Sequence, residues 1–380
     1  MPDSFNKGEW AELYVFFYVL GEGKLRCADE GMNELKGNSF AIDYVRRKEK
    51  NAKEVDYLLD YDSVHVRWGS TSQITIPKRK FTEYASKLKF DIQQGRGHAF
   101  SISDDVISFM HSVLVYQPKA RSIQSTNSAD NIGGKCDIVM HYHDPWSQLA
   151  KDGGFSIKSA FSSPATLFNA SQGSNFEFLV DTDDRKFVDS FNGLYTSQGS
   201  VDLVARGDLL RQMGHHLTSI GPHSNNNGES PLKTNLMTLR PDLLEILPEM
   251  LRLSLVDENH PMAFPDLCNK LVEENPQNVA NPDVYYQKAI KDFLYASFAG
   301  MTAAKPWDST MQVNGGYIIV TNSWKVLSYP TTNEDQFKNY LFYNVKLDRP
   351  SCTRNKYGTI YEAGDGTYRL NMNLQVRFIG

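Results

Sequence analysis

No stretch of this sequence is apolar for long enough to cross a bilayer. The longest run, residues 13–20, holds eight apolar residues, whereas a spanning helix takes ~20. No basic, apolar and small-residue segment opens the chain, so no secretory signal is expected, and the cytoplasm is the expected compartment. Cysteine is scarce. The four present, Cys27, Cys136, Cys268 and Cys352, are scattered with no C-x-x-C pair. That argues against a disulfide framework and a thiolate zinc cluster, and suits idle thiols in a reducing compartment. There is no internal repeat, and no low-complexity tract beyond the Asn225-Asn226-Asn227-Gly228 loop. An excess of positive charge is missing too: 40 Lys+Arg face 45 Asp+Glu, a net −5. Taken whole, that balance argues against a nucleic-acid partner.

What is present is ordinary globular material, 41% hydrophobic and 22% charged over 380 residues, which suits roughly two domains. The chain opens with a helix, because Trp10, Leu13, Tyr14 and Phe17 fall at i, i+3, i+4 and i+7 while Val15, Phe16 and Val19 fill the other sides. A helix apolar all round is a core helix. Asn6 is a good N-cap, and Glu9 three residues later completes a capping box. Glu9 thus has a structural explanation, and Glu12 does not.

Residues 44–96 carry twelve Lys/Arg against seven Asp/Glu, a local +5, so the remainder carries −10. Arg46-Arg47-Lys48 and Lys78-Arg79-Lys80 are the densest clusters, and Arg96 follows. Such clusters fit either a solvated face or phosphate contact. Between them, residues 64–76 alternate like a strand and residues 81–94 read as an amphipathic helix. Strands are expected at residues 135–143, 155–161 and 176–180. Helices are expected at 209–217, 242–255, 265–274 and 283–298, within a stretch (206–300) of eight Lys/Arg and twelve Asp/Glu. Strands return at 316–321, 324–329, 358–361 and 368–378. His141 and His143 share one strand face but have no third ligand at a fixed spacing, so no zinc site is assigned.

The chemistry concentrates in Cys136-Asp137-Ile138-Val139 and Gly154-Phe155-Ser156-Ile157-Lys158-Ser159. Residues i and i+2 of a strand share a face, so Ser156 and Lys158 point together. If the two strands pair, Asp137 faces them. A carboxylate, a hydroxyl and an ammonium around one small space suit phosphodiester hydrolysis. Asp137 and the Ile157 backbone carbonyl are oxygen ligands of the kind Mg²⁺ takes, and Lys158 faces the attacking water. Read without family knowledge, isolated Asp and Lys on neighbouring strands are more often surface positions.

Asp137-x18-Ser156-x-Lys158 resembles the PD-(D/E)XK nuclease signature, with Ser156 where a second acid normally stands. Three blocks resemble the HpaII-type restriction endonuclease family: Lys7-Gly8-Glu9-Trp10-Ala11-Glu12-Leu13-Tyr14-Val15, then Gly154 to Ser159 running through Asn169-Ala170-Ser171, then Tyr357-Gly358-x-Ile360-Tyr361 through Leu374-Gln375-Val376-Arg377-Phe378. They frame nearly the whole chain. Gly134-Lys135-Cys136-Asp137 lacks the Pro before Asp, and Ser156 leaves the metal site short of a carboxylate. Glu12 is the candidate to supply it, since Gly8-x-x-x-Glu12 resembles the helical acid of such nucleases. Glu9 is the second choice, and Glu177 and Gln172 follow. Asn169 is a candidate organiser of the active-site loop, and Arg349, Arg354 and Lys356 make a basic loop from which Arg354 can reach DNA.

The resemblance implies an α/β fold with a PD-(D/E)XK core, a mixed central sheet flanked by helices, and a mainly helical insertion. The expected division is 1–43 (a helix joining the core), 44–130 (basic, DNA-binding), 131–205 (catalytic strands), 206–304 (the insertion) and 305–380 (strands completing the sheet and DNA contacts). It implies Mg²⁺-dependent cleavage of double-stranded DNA at a short, CCGG-like site, by a monomer or a homodimer, with catalytic residues Asp137, Ser156, Lys158 and Glu12. A few changed contacts, each ~1–3 kcal/mol, move such specificity to another base pair. Two alternatives stay open: a structure- or modification-dependent nuclease, and an inactive DNA-binding module prompted by Ser156.

Overall fold

The chain divides into two units, Met1–Ala165 with Met311–Tyr340, and Thr166–Thr310 with Leu341–Ile379. The structure, a computed structural model, describes residues 4–49, 54–119, 136–161, 166–225, 227–310, 313–349 and 357–379. The first unit starts with α1 (Lys7–Glu22), capped as its sequence requires: the Asn6 side chain accepts from Glu9 N, and the Glu9 carboxylate accepts from Asn6 N. Nine of its residues are buried, among them Trp10, Phe16, Phe17 and Leu20. Strands β1 (Lys24–Ala28), β2 (Glu34–Lys48), β3 (Glu54–Leu59), β4 (Ser63–Trp68) and β5 (Ser72–Pro77) follow, then α2 (Lys78–Gln94), α3 (Asp104–Ser112), β6 (Ile138–His143) and β7 (Ala150–Ser159).

The second unit contributes β8 (Thr166–Phe168), β9 (Asn175–Val180), α4 (Arg185–Asn192), α5 (Leu203–Met213), β10 (Leu217–Pro222), α6 (Pro231–Leu239), α7 (Leu243–Val256), α8 (Phe264–Glu274) and α9 (Pro282–Ala299). The chain returns to the first unit for β11 (Gly316–Val320) and β12 (Val326–Pro330). After α10 (Glu334–Asn344) it ends in the second with β13 (Val345–Leu347), β14 (Ile360–Glu362), β15 (Tyr368–Asn373) and β16 (Val376–Phe378).

In the first unit nine strands form one mixed sheet in the order β1-β12-β11-β7-β6-β2-β3-β4-β5. β1 runs parallel to β12 and β11 parallel to β7, and the other pairs are antiparallel. The long β2 also pairs with β1 over its first half, so the hydrogen-bonded order from β1 to β2 closes on itself. α1 and α2 pack on the inner face, where alternate strand residues (Phe40, Val45, Tyr57, Val66, Met140, Phe155, Ile157 and Ile318) join one core with them. On β2 to β5 the outer face keeps the polar residues, as period-two alternation dictates, whereas β11 and β12 are buried on both faces.

The second unit holds two antiparallel sheets, β10-β9-β15-β14 and β13-β16-β8, with the helices from α4 to α9. Several expectations change here. The helix expected over 209–217 ends at Met213, where Gly214 takes a left-handed φ of 70°, and Leu217 opens β10. The single strand expected over 368–378 breaks at Leu374-Gln375 and its halves enter different sheets. The strands after residue 305 do not all complete one sheet: β11 and β12 join the nine-stranded sheet, and β14, β15 and β16 pair within the second unit. Among the described residues no helix is long and apolar enough to cross a membrane. Cys27, Cys136 and Cys268 are free thiols; Cys352 lies outside the described residues.

Candidate active site

The β6–β7 hairpin brings the motif residues together. Its antiparallel register pairs Ile138 with Phe155. Asp137 lies at the bend just before β6, where its N–H donates to Phe155 O at 2.8 Å. Phe155 and Ile157 point into the core, so Ser156 and Lys158 take the outer face. The Asp137 Oδ2 atom accepts from Ser156 Oγ at 3.0 Å and from Ile157 N at 2.8 Å. A carboxylate held by two donors has one oxygen fixed and the other left to face the site. The N–H and C=O of a strand residue point toward the same neighbour, so the Ile157 carbonyl also faces the Asp137 side. Lys158 Nζ lies 5.8 Å from the Tyr317 ring centroid.

Glu12 enters this space from α1. Its Oε2 is buried with no hydrogen-bond partner among the described residues. Burial first, and the Asp137 charge second, push its carboxyl up from the ordinary 4.5 to about 8, against the opposing pull of Lys119, Arg47 and Lys158. An orphaned buried carboxylate is costly, and here it stands beside a second carboxylate. The Asp137 charge also lifts the buried Tyr317 hydroxyl above its usual range, after burial itself, and helps burial push the Cys136 thiol up to about 11. Among the described residues no three His, Cys, Asp or Glu side chains form a metal-binding group.

Other expected site residues sit elsewhere. Glu9 is taken up by the capping box. Glu177, in the second unit, accepts from Arg369 Nη1 at 2.8 Å and from Tyr361 Oη at 2.5 Å, so its carboxylate has partners of its own. Gln172 is exposed, with Nε2 3.1 Å from His223 Nε2. Asn169 is exposed directly after β8. His141 and His143 engage Asp152 and Asp43 at 2.8 and 2.9 Å, a polar ladder on the outer sheet face.

Arg47 requires a correction. It was expected on a basic surface with Arg46, but strand alternation sends the two to opposite faces. Arg47 and Glu49 are each 3% exposed. Arg47 Nε donates to Glu49 at 2.9 Å, Nη2 donates to Gln117 O at 3.0 Å, and the guanidinium lies 4.7 Å over the Phe16 ring. It belongs to the core and leaves the DNA-contacting set. Arg47→Ala strands Glu49 in the interior and is expected to cost about 3–5 kcal/mol, read by urea denaturation. A loss confined to DNA affinity, with stability unchanged, contradicts the structural role.

Arg46 stays half-buried on the outer face, and Asp56 takes its guanidinium at 2.6 and 3.1 Å. Lys78, Arg79 and Lys80 form the first turn of α2, with Arg79 and Lys80 exposed. Arg96 is exposed just past α2, and Arg354 lies outside the described residues. Two neighbours of the site were not foreseen. Tyr317, on β11, pairs in register with Ser156, and Asn314 Oδ1 accepts from Gly154 N at 2.8 Å. Only the pairing of distant strands reveals them.

With that geometry in place, comparison with known proteins decides the family. The profile described as HpaII restriction endonuclease matches residues 6–378. The chain belongs to the HpaII restriction endonuclease family. A curated relative, the type II restriction enzyme HpaII of Haemophilus parainfluenzae, is 29% identical over 380 residues, covering 98% of each chain. No solved structure matches. Family membership makes the chain a type II site-specific deoxyribonuclease. The hairpin from Asp137 to Lys158 and the α1 carboxylate both fall within the matched residues.

Proposed function

We propose that this restriction endonuclease hydrolyses double-stranded DNA at a short, CCGG-like site, using Mg²⁺ in a PD-(D/E)XK-type centre formed by Asp137, Glu12, Lys158 and the Ile157 carbonyl. The observation that carries this reading is the orphaned Glu12 Oε2 beside Asp137. Two carboxylates crowded in one buried space repel each other unless a proton or a cation joins them, and the hard oxygen donors suit a small divalent ion. When bound, such an ion supplies Lewis acidity at the scissile phosphate.

The rest falls to the chain. Ser156 Oγ and Ile157 N orient the Asp137 carboxylate, so Ser156 serves the acid on β6 in place of bringing one of its own. Lys158 Nζ donates to the attacking water and to the phosphoryl oxygen, offsetting the charge that builds in the transition state. In-line attack leaves a 5′-phosphate and a 3′-hydroxyl. Lys78, Arg79 and Lys80 crowd the N-terminus of α2, where the helix dipole disfavours cations and welcomes anions. No acidic residue of that first turn offsets them. DNA phosphates would, beyond the one pair that Lys80 makes with Glu83; Arg96, past the other end of α2, and Arg46, on the outer sheet face, are separate candidate contacts. The enzyme works in the cytoplasm as a monomer or a homodimer.

Digestion of a sequenced plasmid with Mg²⁺, followed by sequencing of the ends, tests the reading. Discrete fragments ending at one short sequence with 5′-phosphates are expected. Random nicking, or cutting only of modified DNA, contradicts it.

A further inference from the structure

The outer face of the nine-stranded sheet extends well beyond the Asp137 site. Cross-strand registers align Gly154 with Val139, Val139 with Arg46, Arg46 with Asp56, Asp56 with Arg67, and Arg67 with Gln73. This row crosses five neighbouring strands from β7 to β4 and ends on β5. Gly154 lies two residues along β7 from Ser156, so the row shares the face of Ser156 and Lys158. The inward neighbours Val45, Val55, Val66 and Met140 all belong to the core.

The two arginines of this row differ. Asp56 occupies the Arg46 guanidinium with both carboxylate oxygens, although it stands opposite Arg67 as well. Arg67 is exposed, and its Nε donates to Gln73 Oε1 at 2.7 Å. Among the described residues its two terminal nitrogens have no hydrogen-bond partner. Gln73 is itself held, with Nε2 3.3 Å from His65 Nδ1, which in turn lies 2.9 Å from Thr75 Oγ1. The guanidinium is therefore anchored at its inner edge and presents its outer fork to solvent. A phosphate contact needs only a charge, whereas bidentate reading of guanine O6 and N7 needs a guanidinium plane fixed in advance.

The distance also suits DNA. Four strand spacings of ~4.8 Å separate β7 from β4, roughly 19 Å, which corresponds to between five and six base steps at ~3.4 Å each. A base edge and the scissile phosphate of one short site lie within that span. We propose that Arg67, oriented by Gln73, is a specificity-determining residue that reads a guanine of the target site. The proposal rests on the nuclease reading above and deepens it.

The test compares wild type, Arg67→Ala, Arg67→Lys and Gln73→Ala on the mapped duplex and on duplexes with each guanine replaced singly. Both cleavage and binding without divalent ion are measured, at two salt concentrations. Arg67→Ala is expected to weaken the cognate duplex about 5- to 150-fold and one replaced duplex hardly at all, so that discrimination at one guanine collapses. Lysine should not restore it, and Gln73→Ala should produce part of the loss. An equal loss on every duplex, with the salt slope reduced by about one, makes Arg67 a phosphate contact and overturns the proposal. Wild-type discrimination in Arg67→Ala, leaving a surface pair only, overturns it too. If the wild type cuts nothing, the nuclease reading fails on that result, and the same binding comparison on a CCGG duplex and its single-guanine replacements still decides Arg67.

Discussion

Replacing Lys158 with Ala is expected to slow single-turnover DNA cleavage about 10³-fold while leaving specific binding within a fewfold of wild type. The ammonium acts on charge that develops only in the transition state, so its loss falls on the rate and hardly on the ground state. A thousandfold corresponds to about 4 kcal/mol of transition-state stabilisation. Binding draws on phosphate contacts spread along the DNA, of which Lys158 is at most one. The position is otherwise structurally undemanding. Lys158 is half-buried on the outer face, has no ion pair among the described residues, and holds its charged end 5.8 Å from the Tyr317 ring centroid. Equal losses in binding and rate would make Lys158 a DNA contact, and an unaltered rate would place the chemistry elsewhere.

Glu12→Gln separates two effects of opposite sign. The amide keeps the shape and loses the charge, so cleavage at the Mg²⁺ concentration that saturates wild type is expected to fall at least about 10²-fold, with partial recovery at excess ion. The metal-free protein should respond the other way. Glu12 keeps its proton up to about pH 8 in the fold but only up to about 4.5 once unfolded. Between those values the folded state binds more protons, so stability drains away as pH rises, by at most about 1.4 kcal/mol per pH unit. Glutamine has no proton to lose. Relative to Glu12→Gln, metal-free wild type should therefore lose stability from pH 5 to 8 in urea titrations, and added Mg²⁺ should reverse that loss in wild type alone. Parallel pH profiles for the two proteins, with or without ion, remove Glu12 from the metal site.

The parts of this site that were legible in the sequence follow local rules. Period-two alternation placed Ser156 with Lys158, and hairpin pairing carried Asp137 to them. Glu12 stood out as a carboxylate in an apolar helix after the capping box had accounted for Glu9. What could not be read depends on pairing between distant segments. Tyr317 and Asn314 reach the hairpin from about 160 residues downstream, and nothing local marks either. Arg47 misled because three adjacent cations read as one patch. A register shift between Ile42 and Tyr44 resets the phase of β2 and turns the middle cation inward. The C-terminal strands misled for a related reason: residues 368–378 keep a strand-like pattern across the break at Leu374-Gln375, where the chain passes from one sheet to another. Net charge hid the basic segment, since a sum of −5 averages it with an acidic helical one.

The most direct test of the account is Mg²⁺ titration of single-turnover cleavage on the mapped duplex by wild type and Asp137→Asn. Asp137 is the charge felt by Glu12, Tyr317 and Cys136 alike, and Ser156 and Ile157 are arranged around its carboxylate. Saturable cleavage by wild type and none by Asp137→Asn at any Mg²⁺ concentration, with DNA binding retained, is the predicted result. Cleavage by Asp137→Asn at the wild-type rate and the same Mg²⁺ midpoint would contradict the account.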